Sequence, residues 1–238
     1  MADRCDIINV EYWSKRWASN DASWHKSFIQ PCLEQHYQKL LPKNDGEQTK
    51  ARIFVPLCGK SLDMLWLAEK GCQVVGLEGV EEAILEFFKE NNVAYDVKTL
   101  DPDGIKCYSS LDKSKDISIY RMDVFKVTPI ILGGTLDAIW DRGSLSAIGL
   151  YVENRGSRYA DILSSLLRPS GCIMIENHVW FNDPGPNGGP PSHVPASVLK
   201  DLFGKNFDIT PLEVDQSIIP KNDRYNRVYN LMRLKTNH

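Results

Sequence analysis

The sequence has no apolar run approaching the roughly 20 residues that span a bilayer, so no transmembrane helix is expected. It has little charge of one sign. Twenty-eight Lys and Arg stand against 31 Asp and Glu, for a net charge of −3. Basic runs are no longer than a pair or so, which argues against nucleic acid or an anionic membrane surface as a partner. The first residues, MADRCDIINVEYW, carry charge early and lack an apolar signal segment, so no secretory leader is expected. The six cysteines, Cys5, Cys32, Cys58, Cys72, Cys107 and Cys172, never pair as C-x-x-C. That pattern points to reduced thiols in the cytosol, with no disulfide frame and no metal site. No internal repeat is found. A length of 238 residues suits one α/β domain with a sizeable core.

The glycine-rich fingerprint G-x-G-x-x-G is also missing, from the one place where it would matter. Arg52 to Glu78 reads as strand, tight turn, helix, strand. Ile53, Phe54 and Val55 form a short β-rich apolar run, which Pro56 ends. Gly59 permits a sharp turn and a close approach. Ser61 can cap a helix whose stripe is Leu62, Leu65 and Trp66. Gly71 suits its left-handed stop. Gln73 to Leu77 is a second strand, with Glu78 at its carboxyl end. Glu78 lies 19 residues past Gly59, close to the roughly 20 expected for a carboxylate that holds ribose hydroxyls. With only Gly59 in the turn, few backbone N–H groups can reach a pyrophosphate. The pattern fits a ligand with a ribose and no pyrophosphate, and S-adenosylmethionine meets that description. An ordinary βαβ unit with a surface Glu shares the same spacing. A dinucleotide oxidoreductase is disfavoured by the missing glycines.

Before the first strand, Trp13 and Trp17 are four apart and share one face of a helix; Trp24 follows a polar turn. This tryptophan arm reads either as packing or as a lid over a flat ligand. A second helix is expected around Pro31, then a polar linker from Asp45 to Lys50. Beyond Glu78, the spacing of Val80, Ile84, Leu85 and Phe88 predicts a helix. Tyr95 to Ser110 is read as an extra hairpin, and Ile117 to Met122 as a strand followed by Asp123 and Val124. Asp123 stands where an acid contacts an adenine amino group or simply faces solvent. Leu136 to Trp140 is a strand ending in Asp141 and Arg142, the end at which open α/β sheets bind ligands. Ser144 is placed as the cap of a short helical turn. Tyr159 to Leu167 is a helix ended by Pro169, and Cys172 to Val179 a strand. Asn182 to Pro195 is a long Pro- and Gly-rich loop. A helix from Ala196 and two terminal strands follow, joined by a loop carrying Lys221 and Arg224. The expected fold is a mostly parallel sheet with one antiparallel member.

Four segments carry a resemblance: WSKRW in the arm, PLCGKSLDMLWLAEKGCQVVGLE in the core, IWDRGSL at a strand end and GGPPSHVP in the long loop. Together they resemble the thiopurine S-methyltransferase family, from about Glu11 to the last strand. The resemblance implies a class I, Rossmann-like α/β methyltransferase fold with a seven-stranded sheet whose last strand is antiparallel. It implies one domain, with residues 1–50 as a helical arm and 51–238 as the core, working as a monomer in the cytoplasm. The implied activity is methyl transfer from S-adenosylmethionine to the sulfur of a small aromatic or heterocyclic thiol. Trp13, Trp17, Leu57, Gly59, Glu78, Asp123, Val124 and Arg142 match cofactor positions, although the family often has another small residue at Asp123. Trp24, Arg142, Pro190 and Pro191 match the acceptor pocket, and Arg142 lies near the acceptor sulfur. Either Lys221 or Arg224 matches a further basic residue. Thiol and halide methyltransferases, which act on small inorganic or alkyl nucleophiles, share the arm and a similar loop. They usually lack WDRG and have a more glycine-rich first loop, so they are the alternative.

Sulfonium methyl transfer is an in-line displacement in which the protein positions the partners and excludes water. The acceptor must be a thiolate, and Arg142 is the cation chosen to favour it. Asp141 is read as a base or, preferably, as a group that orients Arg142 or closes the strand end. Cys58 is discounted as a nucleophile because the reaction needs none.

Overall fold

The computed structural model describes residues 8–42, 50–100, 102, 104–186, 188–215 and 222–235. The expected linker residues 45–49 and Lys221 lie outside them.

The centre is the expected βαβ unit. Strand β1 (Arg52–Val55) lies parallel to β2 (Gln73–Glu78), joined by helix α3 (Leu62–Glu69). Ser61 caps α3, its hydroxyl accepting from the Asp63 N–H at 3.3 Å, and Gly71 turns the chain out at φ +87°. The buried face of α3 is Met64, Leu67 and Ala68, with Leu65 and Trp66 partly covered. Trp66 therefore does not face the sheet as part of a Leu62–Leu65–Trp66 stripe. It packs edge-on against Tyr37, ring centroids 5.1 Å apart.

Ahead of this unit are helix α1 (Val10–Ala18) and helix α2 (Pro31–His36). Pro31 starts α2, where its missing N–H costs nothing. Helix α4 (Glu81–Glu90) buries Ala83, Ile84, Phe87 and Phe88, whereas Leu85, expected on that face, is 39% exposed.

The sheet has nine strands, not seven. β3 (Tyr95–Leu100) and β4 (Ile105–Ser110) form the expected hairpin, which joins the sheet because β4 pairs antiparallel with β5 (Ile117–Arg121). The central strands continue with β6 (Leu136–Arg142) and β7 (Leu167–Trp180), both parallel to β1. β8 (Phe207–Leu212) and β9 (Tyr225–Leu234) close the other edge, and β9 is the antiparallel strand beside β7. The order is β3-β4-β5-β2-β1-β6-β7-β9-β8.

Helix α5 (Ser144–Ala147), helix α6 (Arg155–Leu166) and helix α7 (Ala196–Phe203) complete the chain. Pro169 does not end α6. It lies within β7, where the register to β6 slips between Leu136 and Ala138.

Side chains alternate between two cores, as a sheet covered on both faces requires. Ile53, Val74, Trp140 and Met174 face α2, α3 and α4; Phe54, Val75, Ile139 and Ile175 face α5, α6 and α7. This alternation decides which way the polar residues at the strand ends point.

Candidate active site

At the carboxyl ends of β1 and β2 the chain turns through Pro56, Leu57, Cys58 and Gly59. Leu57 and Gly59 both have positive φ, +42° and +51°. A non-glycine residue there is strained by about 1–3 kcal/mol, and such strain clusters at ligand sites. The turn is held by Glu78. One carboxylate oxygen accepts the Gly59 N–H at 2.9 Å and the other the Val80 N–H at 2.8 Å. Burial pushes the Glu78 carboxyl up, opposed by these backbone donors. The carboxylate keeps acceptor capacity beyond these backbone donors.

The close approach at Gly59 is made by the arm. A Cβ there would lie 3.2 Å from the Trp17 ring. Trp17 is buried with Val80, which precedes α4, and with Ala83 of α4, while Trp13 and Trp24 are half-buried beside it. Trp24 meets Trp13 and Trp17 edge-on at 5.0 and 5.7 Å, and the Arg16 guanidinium lies 4.4 Å from the Trp24 ring. The arm is thus packing and cavity wall at once.

Two cavities meet at this turn, sharing Trp13, Leu57 and Glu78 as lining. The smaller, about 100 Å³, runs toward Asp123, Val124 and Phe125. Oδ1 of Asp123 is engaged by the Phe125 N–H at 3.0 Å, capping a short turn. The larger, about 320 Å³, runs toward Trp24, Arg142, Pro190 and Pro191. The structure therefore brings together all the residues matched to cofactor and acceptor, and it adds Arg224 from the last loop to the larger wall.

Arg142 is the last residue of β6, on the same face as Trp140. Its Nη1 donates to the Trp24 carbonyl at 3.5 Å, tying the strand end to the arm. Asp141 points the other way. Its carboxylate accepts from the Ser144 N–H and the Tyr159 hydroxyl, each at 2.8 Å, and burial raises it to about 6. It therefore closes the strand end and caps α5, and neither orients Arg142 nor faces the cavity. Gly143, not Ser144, holds the cap position of α5, and the Ser144 hydroxyl donates to the Pro56 carbonyl at 2.8 Å. Burial pushes the Asp63 carboxyl up, opposed by the charge of Arg142.

Sequence reasoning missed the floor of the larger cavity. Glu176 lies beside Arg142 in register, and Arg227 of β9 lies opposite His178. Both Glu176 and His178 are buried, and all of these share the face of Trp140. The Arg227 Nε lies 3.8 Å from Glu176, as does the His178 Nε2. Burial, then Arg227, Arg142 and Lys26, push His178 down to about 3, so its imidazole is neutral. The signal was present in the sequence. Glu176 and His178 interrupt an apolar run at the carboxyl end of a parallel strand, as Arg142 does.

The GGPPSHVP loop is pinned over this floor. The Ser192 N–H donates to the Ser146 carbonyl, the Val194 N–H to the His178 carbonyl, both at 2.8 Å, and the Trp180 indole to the Pro191 carbonyl at 3.0 Å. Cys58 lines the cavity but is buried, and burial with nearby Glu78 pushes its thiol well up, against any nucleophilic role. Among the described residues no His, Cys, Asp and Glu cluster could hold a metal, and no helix is long and apolar enough to cross a membrane.

A family model for thiopurine S-methyltransferase matches residues 8–236. The chain belongs to the thiopurine S-methyltransferase family. Among its relatives, the thiopurine S-methyltransferase of Mus musculus is 37% identical over 208 residues, covering 87% of this chain and 82% of that protein. That of Rattus norvegicus is 36% identical with the same coverage. Solved structures share the fold at low identity. Magnesium protoporphyrin IX methyltransferase from Synechocystis PCC 6803, with bound SAM, superposes at TM-score 0.63 and 12% identity over 99% of both chains. A Burkholderia thailandensis 1,6-didemethyltoxoflavin N1-methyltransferase gives TM-score 0.63 and 14% identity, covering 95% of this chain and 87% of that one. This member of the family is a class I, S-adenosylmethionine-dependent methyltransferase, and the residues around Glu78 suit that cofactor. The shared lining of the two cavities runs past a carboxylate with acceptor capacity to spare, and Gly59 is the one glycine in the turn from Pro56 to Gly59.

Proposed function

We propose that the enzyme methylates the sulfur of a small aromatic or heterocyclic thiol, with the smaller cavity taking the adenosine end of S-adenosylmethionine and the larger the acceptor. The observation that carries this reading is Arg142, set at the end of β6 on the lining of the larger cavity and tied to Trp24 of the arm. The cofactor supplies a methyl group on sulfonium sulfur, already activated for displacement. In this reading Glu78 accepts from the ribose hydroxyls. Trp13 and Leu57 bound the passage between the cavities, and Asp123 and Val124 border the adenine. Trp24, Pro190 and Pro191 hold a flat ring and exclude water. The Arg142 guanidinium stabilises the acceptor as thiolate. Residues 1–50 then act as an arm on one domain, 51–238, in a monomer. Five described cysteines, all unpaired and buried, support a cytosolic setting.

The test is methyl transfer to an aryl thiol and to its hydroxyl analogue at saturating cofactor, for wild type and for R142A and R142K. The thiol should be strongly preferred. R142A should lose activity by roughly a hundredfold, as for removal of one oxyanion donor, with the largest loss at low pH. R142K should recover only part, because an ammonium lacks the planar fork. Equal rates for thiol and hydroxyl would sink the reading.

A further inference from the structure

A thiol must shed its proton before the sulfur takes a methyl group. Arg142 cannot receive that proton, because a guanidinium stays charged and has no acceptor atom. Most other polar groups lining the larger cavity are committed elsewhere. Glu78 accepts the Gly59 and Val80 N–H groups. The Lys60 ammonium reaches Glu86 and Glu90 at 2.7 and 2.6 Å, and that of Lys26 donates to the Ser23 carbonyl at 3.0 Å. Burial pushes the Cys58 thiol well up and holds His178 down to about 3. His25, on the arm, is lowered by burial and then by Lys60 and Arg142. What remains is Glu176, a carboxylate on the floor, in register with Arg142.

The Glu176 side chain is 5% exposed. Its Oε2 is buried and has no hydrogen-bond partner among the described residues. Its Oε1 stands 3.8 Å from Nε of Arg227 and from Nε2 of His178, beyond hydrogen-bond distance. A carboxylate buried in this way is costly, and a proton brought to it relieves the cost. The titratable and charged groups around it are Arg142 from β6, His178 on its own strand, Arg227 and Tyr229 from β9, Cys32 from α2 and Lys26 from the arm. Tyr229 and Cys32 are both pushed up by burial and then by the Glu176 charge, so neither competes for the proton as an anion. Passing a proton from sulfur to Glu176 exchanges one anion for another. The carboxylate beside Arg227 is neutralised as a thiolate forms beside Arg142, and the net charge of the floor does not change. Loss of the proton to solvent would instead set two anions on one wall, which like charge opposes.

We propose that Glu176 is a catalytic residue, the proton acceptor for the substrate thiol. The proposal rests on the S-methyltransferase reading and adds to it the group that lets weakly acidic thiols react. The S–H bond breaks with its electron pair left on sulfur, and the proton goes to a Glu176 oxygen. That pair then forms the new carbon–sulfur bond, while the pair of the broken methyl–sulfur bond stays on the donor sulfur, which becomes a neutral thioether. The proton passes from Glu176 to solvent once the products have left.

The experiment compares thiophenol with phenylmethanethiol, which is of similar size but a weaker acid, near the alkyl thiol value of about 8.5. Rates at saturating cofactor are followed over a pH series for wild type, E176Q and H25Q, and calorimetry with S-adenosylhomocysteine verifies that each variant is folded. At about pH 6, E176Q should slow transfer to phenylmethanethiol by roughly a hundredfold or more, the usual worth of a general base, and transfer to thiophenol much less. The gap should close as pH rises and solvent ionises both thiols. Formate added to E176A should restore part of the lost rate. A second readout needs no turnover. When phenylmethanethiol binds wild type with S-adenosylhomocysteine below its own ionisation, thiolate absorbance should appear with no proton released to the buffer, as counted by calorimetry in two buffers. One proton released per thiolate formed overturns Glu176 as its acceptor. An E176Q loss equal for both thiols at every pH, or no loss, overturns the proposal and leaves the S-methyltransferase reading standing. A selective loss in H25Q and not in E176Q overturns the assignment in favour of His25. Transfer by wild type to neither thiol, with the cofactor product still bound, overturns the reading and the proposal together.

Discussion

The Trp140 indole donates to Oδ2 of Asp63 at 2.9 Å across 77 residues of sequence, and Oδ1 of the same carboxylate accepts the Gln30 N–H at 2.9 Å. One buried acid therefore ties the first core helix to the strand that ends in Arg142 and to the start of α2. Replacing it by alanine leaves two buried donors without an acceptor. D63A should lose stability by about 2–6 kcal/mol, from about 1–3 kcal/mol for each of the two orphaned groups. Urea unfolding of D63A, W140F and the double variant checks this. The coupling is real if the double variant loses clearly less than the sum of the singles.

Glu78 has two tasks, the turn and, in the proposed function, the ribose. E78A should weaken cofactor binding by roughly two to four orders of magnitude, from two hydrogen bonds of roughly 1.5–3 kcal/mol each. E78Q keeps one acceptor oxygen and should lie between. Calorimetry on folded variants decides, and unchanged affinity would take Glu78 out of the cofactor site.

His178 sets an acid limit on stability. Its folded-state value near 3 lies below the ordinary histidine value. Below about pH 6.5 the unfolded chain takes up a proton that the folded chain refuses. The stability it contributes is present above that pH and is lost as pH falls toward 3. Asp141, raised to about 6, has the opposite sign: its contribution is present below the ordinary carboxylate value and is lost as pH rises through 6. The difference in unfolding free energy between wild type and H178Q, measured across pH 4 to 8, should therefore shift against wild type on the acid side. A pH-independent difference would mean that the imidazole titrates normally.

The arm should respond to the cofactor. Trp17 rests on Gly59 and Val10 lies against Gly79, where an added Cβ would come within 2.9 Å of its side chain. Both glycines flank the Glu78 carboxylate. Limited proteolysis before about Phe28 should slow when S-adenosylhomocysteine is added, and G79A should speed cleavage by lifting α1. Cleavage at one rate with and without ligand would reduce the arm to packing.

Much of this architecture was legible because it rests on local signals. The βαβ unit from Arg52 to Glu78 announces itself through a β-rich run, a capping Ser61, Gly71 and a second β-rich run. Helix α7 begins where the proline-rich loop ends for the same reason. What was hidden depends on pairing. The hairpin was visible, but its place in the sheet was not, since β3 is mostly exposed and its partners are set by β4 and β5. Pro169 read as a helix stop because a register slip leaves no trace in composition. In the site, Trp13, Trp17 and Arg142 stood out as tryptophans and as a charge at a strand end. Glu176 and His178 were absorbed into a strand pattern, and Arg227 joins them only because β9 returns antiparallel beside β7. Lys26 carried no signal beyond following Trp24.

The placement of β9 has a consequence for how the enzyme is made. Every residue lining the smaller cavity lies at or before Arg155, so the whole of that lining is synthesised before β7. The larger half waits for Arg224 and Arg227. Until β9 emerges, the apolar strand β7 presents an unpaired edge, the feature that invites association with other chains. A nascent chain stalled before Tyr225 would thus hold every lining residue of the smaller cavity and an open edge beside the larger. Truncation near the C-terminus should therefore harm solubility before it harms the fold around Glu78.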